Sequence, residues 1–413
     1  MSGKLPSSNL QWPPTKPSRA SLRGLDWFTF FVADIQTGFG PFIAVYLTTQ
    51  KWTLSDIGLV LTIGGVVSLI GQMPGGAVVD AVSSERRAAG VAVLGIGASA
   101  LMMALWPIFI VVVAARVLHA GASCVLGPAF AAISLGLVGH AAIGERLGRN
   151  ARFASIGNGF SAALMGAVGY WWSSAGVFYV TAVLAIPALL TLMHIREDEI
   201  DPARAHGASP DQRPATLRGG LRLFVHNRPL LVLAGCATLF HFANATMLPL
   251  MASLVTKQMP ERATIVIAVC IVVPQLVVAI CSPWVGRQAQ VRGRKTMLLI
   301  GFIALPVRGI LLALVSSPYQ LVAVQVLDGV SAAALGVLVP LIIADVTRGT
   351  GRFNLAQGMV GTAVGIGASV SGVLTGYAAD LLGSTATFLL LAAVAAVGLA
   401  LVSALMPETR PQT

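Results

Sequence analysis

Long apolar runs recur along the chain, each bounded by charged residues or by Pro, Ser and Gly. About 20 apolar residues in helical form cross a ~30 Å hydrocarbon core. Runs of that kind predict spans at Leu25 to Leu47, Leu54 to Val79, Arg87 to Trp106, Ile108 to Val138, Arg152 to Ser173 and Ala175 to Met193. A second set follows at Pro229 to Val255, Ala263 to Val285, Thr296 to Val315, Tyr319 to Ala344, Phe353 to Ala379 and Ser384 to Met406. The pattern predicts an all-α membrane protein of twelve transmembrane helices in two six-helix bundles, 25–193 and 229–406. Between them, the charged segment 194–228, with Asp201-Pro202, Ser209-Pro210 and Arg213-Pro214, reads as a cytoplasmic linker. Residues 1–24 and 407–413 read as cytoplasmic tails, and the first lacks the apolar core of a signal peptide.

Composition supports this pattern. Of 413 residues, 56% are hydrophobic and 10% charged, far below the ~25% charged usual in soluble domains. Lipid must be the main solvent. The net charge of +11 does not indicate a nucleic-acid binder, because Lys and Arg are scattered between apolar runs instead of lining one face. They do follow the positive-inside rule. With both ends inside, Lys51, Lys257 and Arg262 alone fall in outer loops, and Arg116 and Arg308 within spans. Cys124, Cys236, Cys270 and Cys281 lie in apolar runs without a CxxC pair, so neither a metal site nor a disulfide framework is expected.

The two halves share a register. Pro41 leads to Leu47-Thr48-Thr49-Gln50 as Pro249 leads to Val255-Thr256-Lys257-Gln258, and Gly76 aligns with Gly286, and Arg116 with Gln325. The shift stays near 208–210 residues. His119 then corresponds to Asp328.

The loop after the second span reads Gly76-Ala-Val-Val-Asp80 and then Arg86-Arg87. Its counterpart keeps Gly286, Gly293, Arg294 and Lys295 but has Gln290 in place of the acid, while the first copy has Ser83 and Ser84 in place of the inner glycine. The fourth span contains Ala115-Arg116-Val-Leu-His119-Ala-Gly121, and the fifth is glycine-dense around Gly157-Asn158-Gly159. With the six-plus-six repeat, these motifs resemble the major facilitator superfamily. In motif character they are closest to its drug/proton antiporters, although the Gly-Pro pair of their fifth helix is missing. The resemblance implies alternating access, with a substrate site between the halves near the midplane. It also implies a cytoplasmic gate in which Gly76 permits close helix approach and Asp80 pairs with a basic residue or a helix N-terminus of the facing half.

Intramembrane polar residues are costly and lean functional. Asp34 lies about ten residues into the first span, followed by Gln36, while Arg116, His119 and Ser123 share one face of the fourth. Desolvation and a nearby Arg116 would act in opposite senses on Asp34, letting it exchange a proton near neutral pH. Asp34, Arg116 and His119 are therefore the candidate proton-coupling residues, with a structural ion pair as the other role open to Arg116. Gln36, Ser123, His241, Asn244, Arg308, Gln325 and Asp328 are candidate cavity residues. Asp328 with Arg308 reads equally as a structural pair, and His241, beside Phe240 and Phe242, as a packing histidine.

No Walker loop, nucleophile elbow or HExxH occurs, so neither ATP coupling nor enzymatic chemistry is expected, and no cofactor. The expectation is a monomeric secondary transporter of the inner (plasma) membrane whose partners are protons, a small-molecule substrate and the bilayer. Export of an amphiphilic compound leads. Uptake of an organic anion or siderophore-like solute, and a non-transporting membrane sensor or assembly factor, are the alternatives.

Overall fold

A computed structural model describes residues 17–37, 39, 42–208, 226–258, 263–315 and 317–410. Among these residues all regular structure is helical. The first half comprises α1 (Arg19–Thr37), α2 (Phe42–Thr49), α3 (Leu54–Ala81), α4 (Glu85–Leu105), α5 (Phe109–Trp171) and α6 (Gly176–Met193), and a short α7 (Pro202–Ala205) lies in the linker. The second half comprises α8 (Arg228–Ala245), α9 (Met247–Gln258), α10 (Ala263–Arg292), α11 (Arg294–Leu314), α12 (Pro318–Val346) and α13 (Phe353–Leu405).

Ten helical stretches among the described residues are long and apolar enough to cross a membrane. Two of them exceed a single crossing: α5 has 63 residues and α13 has 53, about 95 and 80 Å of helix. Each turns at a glycine with left-handed backbone, Gly139 at φ 67° and Gly383 at φ 80°, where a Cβ would be strained. The two turns raise ten stretches to twelve crossings, as the apolar pattern predicts.

The repeat is visible in the breaks of the first and seventh spans. α1 ends at Thr37 and α8 at Ala245, the same point in a 208-residue register. Gly38, Gly40 and Pro41 lie outside the described residues, as do 209–225 of the linker.

Two boundaries differ from the sequence expectation. α1 begins at Arg19, with Ser18 capping the amide of Ser21 at 3.1 Å. The second arm of α5 runs back from Arg152 to the Gly139 turn, so Glu145, Arg146 and Arg149 are helical. Charge near a span end marks a loop only when nothing neutralises it. Here Asp26 does so: its Oδ1 accepts from Arg146 at 2.5 Å and its Oδ2 from Arg149 at 2.6 Å. Arg146 also donates to Asn150 at 2.6 Å, and Asn150 to Ser134 at 2.9 Å. This buried cluster joins α1 to both arms of α5.

Both described termini and the linker lie at one end of the bundle. There the Ser18 amide donates to Glu199 at 2.8 Å, and the amide of Arg294 to Glu408 at 2.8 Å. At this terminus-bearing end the halves mesh backbone to backbone. A Cβ on Gly76 of α3 would run into the Asn354 carbonyl, and one on Gly358 of α13 into the Gln72 carbonyl. Gly148 of α5 faces the Ser282 carbonyl of α10 in the same way, and Gly286 faces that of Gly144. Such contact needs residues without side chains. Cross-half bonds extend as far as Thr362 to the Leu69 carbonyl, 3.5 Å, and Arg152 to the Ala279 carbonyl, 2.8 Å. That is about 18 Å from the end, at 1.5 Å per residue.

Toward the other end the meshing stops. Gly58 and Gly65 of α3, Gly159 and Gly166 of α5, and Gly372 and Gly376 of α13 have nothing within 4 Å of where a Cβ would sit. Val66, Ile70, Phe160, Leu276, Val373 and Tyr377 on the same four helices are exposed. Among the described residues the hydrogen bonds between the halves are thus confined to the terminus-bearing part, which is closed.

Candidate functional site

The helix breaks bring polar groups to mid-membrane. In the first half, Asp34, Gln36 and Thr37 end α1, against both arms of α5. Asp34 is fully buried and, among the described residues, neither carboxylate oxygen has a hydrogen-bond partner. It faces the second arm: a Cβ on Gly157 would lie 3.2 Å from its Oδ1, and Ser161 donates to its backbone carbonyl at 3.1 Å. Thr37 donates to Asn158 Oδ1 at 3.2 Å.

Arg116, His119 and Ser123 occupy the first arm of α5. The Arg116 guanidinium lies against Gly64 of α3, 2.5 to 2.9 Å from where a Cβ would sit, and its Nε and one Nη are buried without a partner. His119 stacks on Phe39, ring centroids 3.8 Å apart at 17°, with both ring nitrogens unpartnered. Ser123 donates to Gln36 Oε1 at 3.1 Å. The expected juxtaposition of Asp34 with Arg116 is not formed. The reason is helix rotation: Asp34 turns to the second arm of α5, whereas Arg116, on the first arm, turns to α3.

The second half brings its polar residues together. Arg308 of α11, 1% exposed, donates to Asp328 Oδ1 at 2.5 Å, Asn244 Oδ1 at 2.6 Å and Gln325 Oε1 at 2.9 Å. Four of the candidate cavity residues thus form one cluster joining α8, α11 and α12. His241 stands apart from it, half-buried, edge-to-face with Phe240 at 5.4 Å. Thr246, at the α8–α9 break, reaches Ser371 at 2.9 Å and Thr375 at 3.0 Å on α13.

At the terminus-bearing end, Asp80 sits on the N-terminus of α13. Its oxygens accept from the amides of Asn354 at 3.3 Å and Leu355 at 2.8 Å and from Asn354 Nδ2 at 2.9 Å, where unpaired N–H groups and the helix dipole favour a carboxylate. Gln290, at the corresponding point of the second half, donates to the Ala141 carbonyl at 2.9 Å. The basic residues of the two motifs behave differently from Asp80: their partners lie in the adjoining linker or in their own half, not across in the other. Arg86 donates to Glu197 and to the Ile195 carbonyl, both at 2.9 Å, and Arg87 stands 4.0 Å from Glu197. Arg294 binds Asp345 at 2.9 Å, Lys295 Nζ donates to the Ser403 carbonyl at 2.8 Å, and Gly293, at φ 99°, lies against Glu408. These bases fasten the third helix of each half to its own neighbours, leaving Asp80 to reach across.

The linker completes this end, in a way its charge pattern did not signal. His206 lies 2.7 Å from Glu85 Oε1 and 3.7 Å from Asp80 Oδ1, while its carbonyl accepts from the Phe353 amide at 3.2 Å. Burial opposes charge on the ring, but the Glu85 hydrogen bond and the charges of Glu85 and Asp80 outweigh it and hold His206 above its ordinary 6.5. The buried Asp26–Arg146 pair was also missed. The available signal was one acid and two bases flanking apolar helices at the same membrane end.

This architecture has relatives. The structure of the human organic anion transporter MFSD10 superposes with a TM-score of 0.69 at 14% identity, covering 93% of this chain and 99% of that one, a likeness of fold. Two proteins of Mycobacterium tuberculosis, from strains CDC 1551 / Oshkosh and ATCC 25618 / H37Rv and described as uncharacterized MFS-type transporters, are each 37% identical over 394 residues, 94% of this chain and 93% of theirs. The sequence model of the Major Facilitator Superfamily matches residues 27–273 and 264–413, nearly the whole of both halves. With its twelve crossings, paired six-helix halves and polar midplane, the chain belongs to the Major Facilitator Superfamily of membrane transporters.

Proposed function

We propose that the chain is a proton-coupled exporter of a small amphiphilic organic compound across the inner (plasma) membrane, with both termini in the cytoplasm. The Lys and Arg bias of the loops supports that orientation, which makes the described conformation outward-facing. One observation carries the reading: Asp34, Arg116 and His119 are buried in apolar helices of the first half, and among the described residues none of the three has a side-chain hydrogen bond. An ionised carboxylate buried alone is expensive and the protonated acid much less so. This state suits an Asp34 that has taken a proton from outside, to be released after the opposite end opens. Arg116 and His119 line the path along which substrate or proton is handed over.

A second reading, uptake of an organic anion, is favoured by the two unpartnered donors of Arg116, which match a carboxylate. Proteoliposomes under an imposed pH gradient separate the two. Export predicts that amphiphilic substrate moves against the proton flow, that Asp34→Asn abolishes proton-driven accumulation while leaving exchange, and that Arg116→Ala removes transport. Proton movement with substrate at the wild-type ratio in Asp34→Asn would refute the coupling role. Substrate moving with the proton, and only as an anion, would select the second reading.

A further inference from the structure

A groove of about 920 Å³ lies on the outer flank of the first half, between the end of α3, the start of α4 and the first arm of α5, away from the polar midplane. Its walls are apolar: Val91 is 70% exposed, and Val117 and Leu118 are about 40% exposed. Arg87 is the one charged side chain among its lining residues, at the terminus-bearing mouth beside Ser83 and Ser84. From Arg87 to Gly95, eight residues along α4 cover about 12 Å, close to half of a ~30 Å hydrocarbon core. The groove therefore runs from the head-group level of one leaflet to the middle of the membrane.

The groove is not a feature of the repeat, which places larger residues at the corresponding positions of the other half. In the 208–209 register, Ala92 and Gly95 correspond to Ile300 and Ile303, and Gly121 to Val330. The bases differ too. Lys295, the counterpart of Arg87, is tied to the Ser403 carbonyl at 2.8 Å. The Arg87 side chain is 79% exposed, 4.0 Å from a Glu197 that is already bound by Arg86 at 2.9 Å. The start of α4 is already capped, the Ser84 hydroxyl accepting from the Arg87 amide at 3.2 Å, so the exposed guanidinium is what the mouth offers an anion.

From this geometry we infer a binding site for one anionic phospholipid of the terminus-side leaflet, its phosphate on the Arg87 guanidinium and its acyl chain in the groove. The inference stands apart from the transport reading, since no midplane residue takes part. Its occupant is distinguished from ordinary boundary lipid by head-group charge at the mouth and by chain-shaped depth below it.

The test is native mass spectrometry of delipidated protein in detergent, titrated with phosphatidylglycerol or with phosphatidylcholine of the same acyl chains. Wild type should hold one phosphatidylglycerol more tightly than phosphatidylcholine. Arg87→Gln should lose about fivefold in affinity for phosphatidylglycerol alone, the effect of one basic residue at a membrane surface. Gly121→Leu, whose side chain enters open space, should displace both lipids, and Lys295→Gln should change neither. A monodisperse elution profile and an unaltered melting curve control for folding, and the Arg87 variant tests the site even where Gly121→Leu fails that control. Equal binding of the two lipids to wild type, or unchanged phosphatidylglycerol binding in Arg87→Gln, overturns the proposal. So does a dimer that Gly121→Leu abolishes, since a second copy would then be the occupant.

Discussion

The two mid-membrane clusters occupy related positions in a duplicated fold and are wired in opposite ways. In the second half the Arg308 guanidinium meets three acceptors, from Asp328, Asn244 and Gln325. In the first, Asp34, Arg116 and His119 leave six side-chain atoms buried and unpaired. Buried polar groups ordinarily find partners. The second cluster, in which only the Arg308 Nε is left over, therefore reads as architecture that locks three helices, and the unpaired one as a place kept for something that arrives, whether proton or substrate.

The largest effect should come from breaking the Arg308 cluster. Asp328→Ala leaves the Arg308 charge buried without its counter-charge, and removing one partner of a buried pair costs about 3–5 kcal/mol. Thermal unfolding in detergent should show that loss, and the joint replacement Arg308→Met with Asp328→Leu should recover most of it. Arg116→Ala removes no hydrogen bond among the described residues, so the same assay should register a change within about 1 kcal/mol, inside the range of ordinary surface substitutions or slightly beyond it. Equal losses in Asp328→Ala and Arg116→Ala would erase the distinction between the clusters.

The next effect concerns the closed end. Gly76→Val drives a side chain into the Asn354 backbone, which cannot yield as a flexible side chain would. Spin labels placed at the terminus-bearing ends of α3 and α13 should move apart, with the protein still folded. An unchanged distance distribution would show that this contact does not hold the end shut.

The smallest effect is a pH dependence of the same end. His206 is held above 6.5 by Glu85 and Asp80. Its contribution to closure is thus fully present below pH 6.5 and fades as pH rises through the higher folded value. The same spin-label distances should lengthen modestly between pH 6.5 and 8.5 in wild type, and His206→Asn should remove that dependence. A pH response that survives the substitution would assign it elsewhere.

Much of the fold is legible in the sequence because lipid imposes a local rule. Each span must be apolar over about 20 residues, so twelve crossings, two halves and the linker follow from the order of residues alone. The repeat paired Gly76 with Gly286, whereas the breaks after Thr37 and Ala245 fall inside spans that read as continuous. The boundary at Arg152 failed because the rule assumes that charge lies outside the helix, whereas Asp26 neutralises Arg146 within it. Residue types also singled out Arg308, Asn244, Gln325 and Asp328, but not that they bind one another.

What the sequence by itself determined is the number and polarity of the spans, their duplication and the presence of polar groups in apolar helices. Only the tertiary structure decided which of those groups have partners. Asp80 meets Asn354 across 274 residues, and Asp26 meets Arg146 across 120, while Asp34 and Arg116 turn to different neighbours. Those outcomes depend on the rotation of each helix and on which end of the halves is closed, quantities set by packing between distant segments that no local period encodes.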